Sequence, residues 1–303
     1  MTAIQNADRG PDYASQVMAT YDAFAPWYDP MYRAQGRKPG AYRKEVVEAY
    51  AALFAGLGVR TILDCACGTG DPIIGLAQLP EFEVSGSDGS EAMLGLCARN
   101  AALPENEVAV HPWGTSRVSQ GLQLAVIPWS ELLKGCGDQR FDVVMCAGHA
   151  IYHLVTRQAI VDALRSMASI TRPGGYVMFD TLRWTPGLRG EEGVEADVRF
   201  RGFCQEATGD RRITFLSSTH YLDDPAAVCG VMQLKRFFVL EEVDRNVQGV
   251  GVFDFYGAPF DEPAARETAD AAGLTDIEVL HTDPDGSQDL VKRYMTVIGK
   301  KPG

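Results

Sequence analysis

Histidine, tryptophan and basic side chains are scarce in this 303-residue chain, which has five His, four Trp and 28 Lys+Arg against 40 Asp+Glu. A formal charge of −12 denies it the positive field that phosphate backbones require, so no nucleic-acid partner is expected. The acidity reads first as a solubility device, with attraction of a cationic substrate as the other reading. No uninterrupted apolar run approaches the roughly 20 residues of a membrane span. No N-terminal stretch joins a basic segment, an apolar run and a small-residue cleavage site. The expectation is a cytoplasmic protein without a membrane partner. Seven cysteines, at positions 65, 67, 97, 136, 146, 204 and 229, are odd in number and lack CxxC pairs or zinc-like spacing. Reduced structural thiols and no metal are therefore expected.

A hydrophobic fraction of 46% and a charged fraction of 22% suit an ordinary globular protein. The length suits one large α/β domain with an elaboration, or two modest domains sharing an interface. Residues 1–12 are polar and aperiodic. Tyr21, Phe24, Trp27, Tyr28 and Tyr32 then fall near helical spacing until Pro26 and Pro30, which should interrupt the helix. A second helix is expected over 41–57.

Short apolar runs alternating with helical patterns follow, the signature of βαβ units and a parallel sheet. Strands are expected at 60–65, 82–87, 141–147 and 176–181, and helices at 71–79, 91–101 and 157–170. A further strand falls at 107–111 or at 122–127. From about 184 to 259 the period changes to two, predicting antiparallel strands at 198–203, 212–222, 231–243 and 250–256. A helix at 262–272, stopped by Gly273, and strands at 275–281 and 291–298 close the chain.

The richest segment runs from Thr61 to Pro72, an apolar strand entering the small residues Cys65-Ala66-Cys67-Gly68-Thr69-Gly70. Glycines there let the backbone turn sharply and approach a ligand. A dinucleotide fingerprint beginning at Gly68 and Gly70 wants a small residue at position 73, and Ile73 stands there instead. Counted from Asp64, the pattern is acidic-x-small-x-Gly-x-Gly with Ala66 in the small position. About 20 residues past the loop, Asp88 ends the second strand, where a ribose diol would be met. Its other reading, a helix N-cap, is open to Ser90 instead.

These motifs, with Phe141-Asp142-Val143-Val144-Met145-Cys146-Ala147-Gly148-His149 and Arg172-Pro173-Gly174-Gly175, resemble class I S-adenosylmethionine-dependent methyltransferases in order and spacing. The resemblance covers nearly the whole chain and is nearest to glycine N-methyltransferases, with sugar-nucleotide N,N-dimethyltransferases next. It implies a doubly wound, mostly parallel seven-stranded sheet of Rossmann-like methyltransferase type, with an antiparallel β insertion and an N-terminal helical lid. Its parts would be a lid at 1–58, a cofactor-binding core at 59–183 and 260–303, and a β subdomain at 184–259 contributing to the acceptor pocket.

The resemblance also implies S-adenosylmethionine as cofactor and a site formed by Asp64, Ala66, Gly68, Gly70, Asp88, Gly89, Met93 and Ala147. By the same comparison Trp129 covers the adenine, His153 lies near the cofactor, and Arg37 or Lys38 holds the methionyl carboxylate. The chain departs from the glycine enzymes where they carry an asparagine and a carboxylate-binding arginine, having His149 and Leu182 there, the latter followed by Arg183.

Methyl transfer from a sulfonium needs no acid for its neutral leaving group, so positioning dominates and the acceptor needs only a free lone pair. Ligands in such folds lie beyond the carboxyl ends of parallel strands, which draws attention to His149 and Arg183. His149 is the candidate base or orienter. The aromatic N-terminal segment can close as a lid presenting Tyr21 or Tyr28, or simply pack as a helix. The expected function is methylation of a small-molecule acceptor, first an amine or amino-acid-like nitrogen, with O- or C-methylation in specialised metabolism as the alternative. Homo-oligomerisation is left open.

Overall fold

The computed structural model describes residues 13–34, 44–102, 109–110, 122–182, 196–205, 211–222, 227–228, 231–242, 247–282 and 294–303. Eight strands form the main sheet. In chain order they are β1 (Thr61–Asp64), β2 (Glu83–Asp88), β3 (Ala109–Val110), β4 (Leu122–Val126), β5 (Phe141–Cys146), β6 (Thr171–Leu182), β11 (Thr275–Thr282) and β12 (Tyr294–Lys300). The spatial order is β11-β12-β6-β5-β1-β2-β4-β3. All pairs are parallel except β12 with its two neighbours. This is the expected seven-stranded sheet with a two-residue strand added at its edge. The two alternatives for the middle strand both exist, because β4 pairs with β2 and β3 pairs with β4.

The helices are α1 (Tyr13–Ala34), α2 (Lys44–Leu57), α3 (Ile73–Leu76), α4 (Glu91–Asn100), α5 (Leu132–Cys136), α6 (Arg157–Ile170) and α7 (Glu262–Ala271). One apolar layer lies between the sheet and α5, α6 and α7, and a second lies between the sheet and α2, α3 and α4. The second sheet, of order β10-β9-β8-β7, is antiparallel throughout and comprises β7 (Ala196–Gln205), β8 (Arg211–Leu222), β9 (Val231–Glu242) and β10 (Val247–Gly257).

Local chemistry accounts for the elements. In α6, Ile160, Val161, Leu164, Met167 and Ile170 recur at helical spacing and are buried, while Thr156 caps the start by accepting from Ala159 N at 3.3 Å. Asp261 does the same for α7, accepting from Ala264 N at 2.7 Å, and Gly273 ends that helix at φ +88°. Asp142 ties β5 to β1 through the amides of Arg60 and Thr61, both 2.9 Å, and pairs with Arg172 at 2.5 Å. That makes the Phe141-Asp142 and Arg172 motifs structural clasps at the edge of the sheet where these strands begin.

Three expectations change. The helix at 71–79 contracts to α3, flanked by turns. Strand β6 starts at Thr171, taking in the Arg172–Gly175 turn through an irregular register against β5. Most informatively, α1 continues through Pro26 and Pro30. Each proline costs about 3 kcal/mol in a helix interior. Buried Phe24 meets Phe238, Phe253 and Phe255 at 5.2 to 5.3 Å, and Val17, Ala25 and Met31 are buried along the same helix. Burial of about 1.5 to 3 kcal/mol per large side chain, with ring pairing added, outweighs the missing donors.

Candidate functional site

The carboxyl ends of β6, β5, β1 and β2 lie side by side, and three of them carry aspartates: Asp180, Asp64 and Asp88. Asp64 is fully buried. Its Oδ1 accepts from Ala66 N (3.1 Å) and Ala147 N (3.4 Å), while its Oδ2 has no partner among the described residues. Burial pushes its carboxyl up to about 8, against the pull of those two amides and helped by the charges of Asp180 and Asp88. A buried carboxylate with a bare oxygen is costly, and a cation donating to Oδ2 relieves it.

Asp88 is half-buried at the end of β2. It accepts from Gly68 N (Oδ2, 2.9 Å) and Ser90 N (Oδ1, 2.9 Å), so it reaches across to shape the glycine loop. Burial raises its carboxyl, with those amide bonds acting the other way. Ser90 caps α4 itself, its Oγ accepting from Met93 N (3.1 Å) and donating to Asp22 on α1 (2.5 Å). The capping role therefore falls to Ser90 and not to Asp88. Gly68 (φ +51°) and Gly70 (φ +102°) adopt the conformation that favours glycine, and side chains of Ile74 and Cys97 leave no room for a Cβ at Gly70. Ile73 is buried with its Cδ1 over Gly86 of β2. Helix and strand thus close with the small residue on the strand, the reverse of a dinucleotide fingerprint.

After β5 the backbone turns through Gly148 (φ +70°) and His149 (φ +64°). A left-handed histidine is held there because Asp180 takes both amides, Gly148 N at 3.2 Å and His149 N at 2.6 Å. His149 Nδ1 lies 3.3 Å from Asp180 Oδ1, the two side chains being 19% and 13% exposed. Tyr50 of α2 donates its hydroxyl to Asp180 Oδ2 at 3.2 Å. Burial works against the Asp180 charge, but His149 and the two amides outweigh it and hold the carboxyl below its ordinary value. Burial, and the charge of Asp180 beside it, push the Tyr50 hydroxyl well up. Asp180 and Tyr50 are absent from the sequence-based site; a lone acid in the apolar run Val177-Met178-Phe179-Asp180 was the available signal.

Helix α1 lies over this edge. Tyr21 Oη is 2.9 Å from His153 Nε2, and His153 Nδ1 is 2.6 Å from the Tyr256 carbonyl. A carbonyl only accepts, so Nδ1 carries the proton and Nε2 accepts from Tyr21. Burial, with Arg236 nearby, lowers His153 to about 4 and keeps it neutral. Met18 of α1 sits against Gly89, and Tyr21 and Tyr28 pack on the cluster of Ala25, Met93 and Leu96. Trp129, half-buried in the 3₁₀ turn after β4, donates its indole N–H to Cys65 Sγ at 3.2 Å, which holds it beside the loop after β1. Arg37, Lys38 and Arg183 lie outside the described residues.

Residues 62–175 match the family model of a methyltransferase domain. The chain is 31% identical over 141 residues to glycine N-methyltransferase of Rattus norvegicus, covering 43% of this chain and 44% of that one. It is 33% identical over 175 residues to the ubiquinone biosynthesis O-methyltransferase of Alkalilimnicola ehrlichii, covering 56% and 60%. The chain thus spans about half the length of the curated relatives it matches. The fold is shared with the structure of S-adenosylmethionine-bound CalS10, an amino pentose methyltransferase from Micromonospora echinaspora involved in calicheamicin biosynthesis, at TM-score 0.61, 17% identity and coverage of 90% and 96%. The matched domain and the shared fold make the chain similar to class I S-adenosylmethionine-dependent methyltransferases. Within that class its similarity runs to enzymes of both nitrogen and oxygen methylation.

Proposed function

We propose that the protein methylates a nitrogen of a small amine or amino-acid-like acceptor, with S-adenosylmethionine as donor. The observation that carries the donor half is the buried, half-satisfied Asp64 next to half-buried Asp88 on the neighbouring strand. The bare Oδ2 of Asp64 suits the ammonium of the methionyl group, and Asp88 suits the ribose diol. The rim would be completed by the small residues Ala66, Gly68 and Gly70, by Gly89 and Met93 at the start of α4, and by Trp129 and Ala147. When bound, the cofactor supplies a methyl group on a positively charged sulfur.

The chain's own residues then have to orient the acceptor and keep its lone pair free. His149, backed by Asp180, is placed to take the proton of an ammonium before transfer. Neutral His153 accepts from the Tyr21 hydroxyl and so fixes its orientation where α1 crosses the site. The bond between Tyr21 and His153 and that between Asp22 and Ser90 fasten α1 over the site, which supports its reading as a lid that excludes water. The same dyad of His149 and Asp180 suits a hydroxyl acceptor, and similarity to an O-methyltransferase keeps that second reading in view. Kinetics of His149→Ala and His149→Gln with amine acceptors test the assignment. A fall in turnover at unchanged cofactor affinity supports it, and unchanged turnover removes His149 from the mechanism.

A further inference from the structure

Arg236 of β9 is set among aromatic rings. Its neighbour Lys235, on the opposite face of the strand, has a counter-charge supplied by the sheet, Asp254 directly across on β10, 3.9 Å away. Across from Arg236 the sheet supplies Phe253 on one side and Ser217 on the other. Its guanidinium carbon lies 4.8 Å from the centre of the Phe255 ring and 5.5 Å from that of Phe24, and one N–H donates to Met31 Sδ at 2.9 Å. No carboxylate among the described residues pairs with it. Aromatic faces offset part of the cost of drawing a cation from water, but a thioether is a weak acceptor for a group with five donors.

This cation adjoins the site. Phe255, under its guanidinium, is 5.2 Å from Tyr21 and 6.4 Å from His153 between ring centres. A planar, permanently charged fork in an aromatic surround matches the two oxygens of a carboxylate or a phosphate. We propose that Arg236 anchors an oxyanionic group of the methyl acceptor, so that the substrate is an acid as well as a methyl-accepting base. This rests on the reading of the site as a methyltransferase acceptor pocket, and names the class of molecule that enters it.

The test uses the full chain saturated with S-adenosylhomocysteine and three probes of similar size: benzoate, phenyl phosphate and benzyl alcohol, titrated by calorimetry. At least one anion should bind about tenfold or more tightly than the alcohol, and which one does so separates carboxylate from phosphate recognition. Arg236→Met, which keeps much of the packing, should abolish that preference, and Arg236→Lys should retain part of it. The melting temperature and S-adenosylhomocysteine affinity of each variant control for folding. Equal binding of the three probes, no measurable binding of either anion, or an unchanged preference in Arg236→Met overturns the proposal. Failure of the methylation reading is seen separately, in loss of S-adenosylhomocysteine binding by the wild-type protein or in a methyl group placed elsewhere than on nitrogen.

Discussion

Asp64 and Asp180, at the ends of β1 and β6, divide between them the three successive backbone amides that leave β5: Asp64 takes Ala147, and Asp180 takes Gly148 and His149. Two acids from flanking strands thus fix the loop of the strand between them. One is left with a bare buried oxygen, and the other carries a histidine.

The first prediction concerns Asp64. Its carboxyl stands at about 8 in the folded protein against 3.8 ordinarily, so between those values the folded state holds more protons than the unfolded one. This group therefore makes the cofactor-free protein lose stability as pH rises from about 4 to about 8, with no further loss above. Melting curves of wild type and Asp64→Asn should converge at low pH and separate in favour of the variant toward pH 8. A constant gap contradicts the assignment. Because an ammonium at Oδ2 favours the ionised form, cofactor binding near pH 6.5 should release about one proton. Calorimetry in buffers of different ionisation enthalpy measures it.

Asp180→Asn keeps the size of the side chain but removes its charge. Turnover is expected to fall by about 10². The pH profile of kcat should also move, because the carboxylate charge facing the His149 ring is gone. Asp180→Ala also strands two amides in a left-handed turn and should cost about 1 to 3 kcal/mol in stability. If Asp180→Asn leaves the pH profile unmoved, Asp180 serves the loop alone.

Tyr21→Phe should leave α1 docked, since Phe24 and not Tyr21 fills the center of its contact with the second sheet. A loss of about tenfold or more in kcat with an unchanged melting temperature is expected. Unchanged kcat reduces α1 to packing.

Gly86 has no room for a side chain. A Cβ there would lie 2.5 Å from Ile73 Cδ1 and 3.0 Å from Cys67 Sγ and Leu124 Cδ2. Gly86→Ala should destabilise by about 1 to 3 kcal/mol, and adding Ile73→Val should recover part of that in denaturant unfolding.

Much of the proposed cofactor side was legible in sequence because its residues are local. Asp64, Gly68, Gly70 and Asp88 fall within one strand-loop-helix-strand unit, and Ser90 announced itself as a cap. The acceptor side was not, because its pairs join distant segments: Tyr50 with Asp180, 130 residues apart, and Tyr21 with His153, 132 apart. Propensity also misjudged α1, whose two prolines argue for interruption until the aromatic face finds β9 and β10. Arg236 gave no signal, since a charge in an alternating strand reads as solvent-facing until its neighbours are known.

The most direct measurement is to incubate the protein with S-adenosylmethionine carrying a 13C-labelled methyl group and a panel of amines, amino acids and phenols, and to locate the label by NMR. The expected result is label on nitrogen of a small acceptor, lost in His149→Ala while cofactor binding persists. Label on oxygen or carbon contradicts the proposed acceptor atom, and no binding of the cofactor contradicts the account at its root.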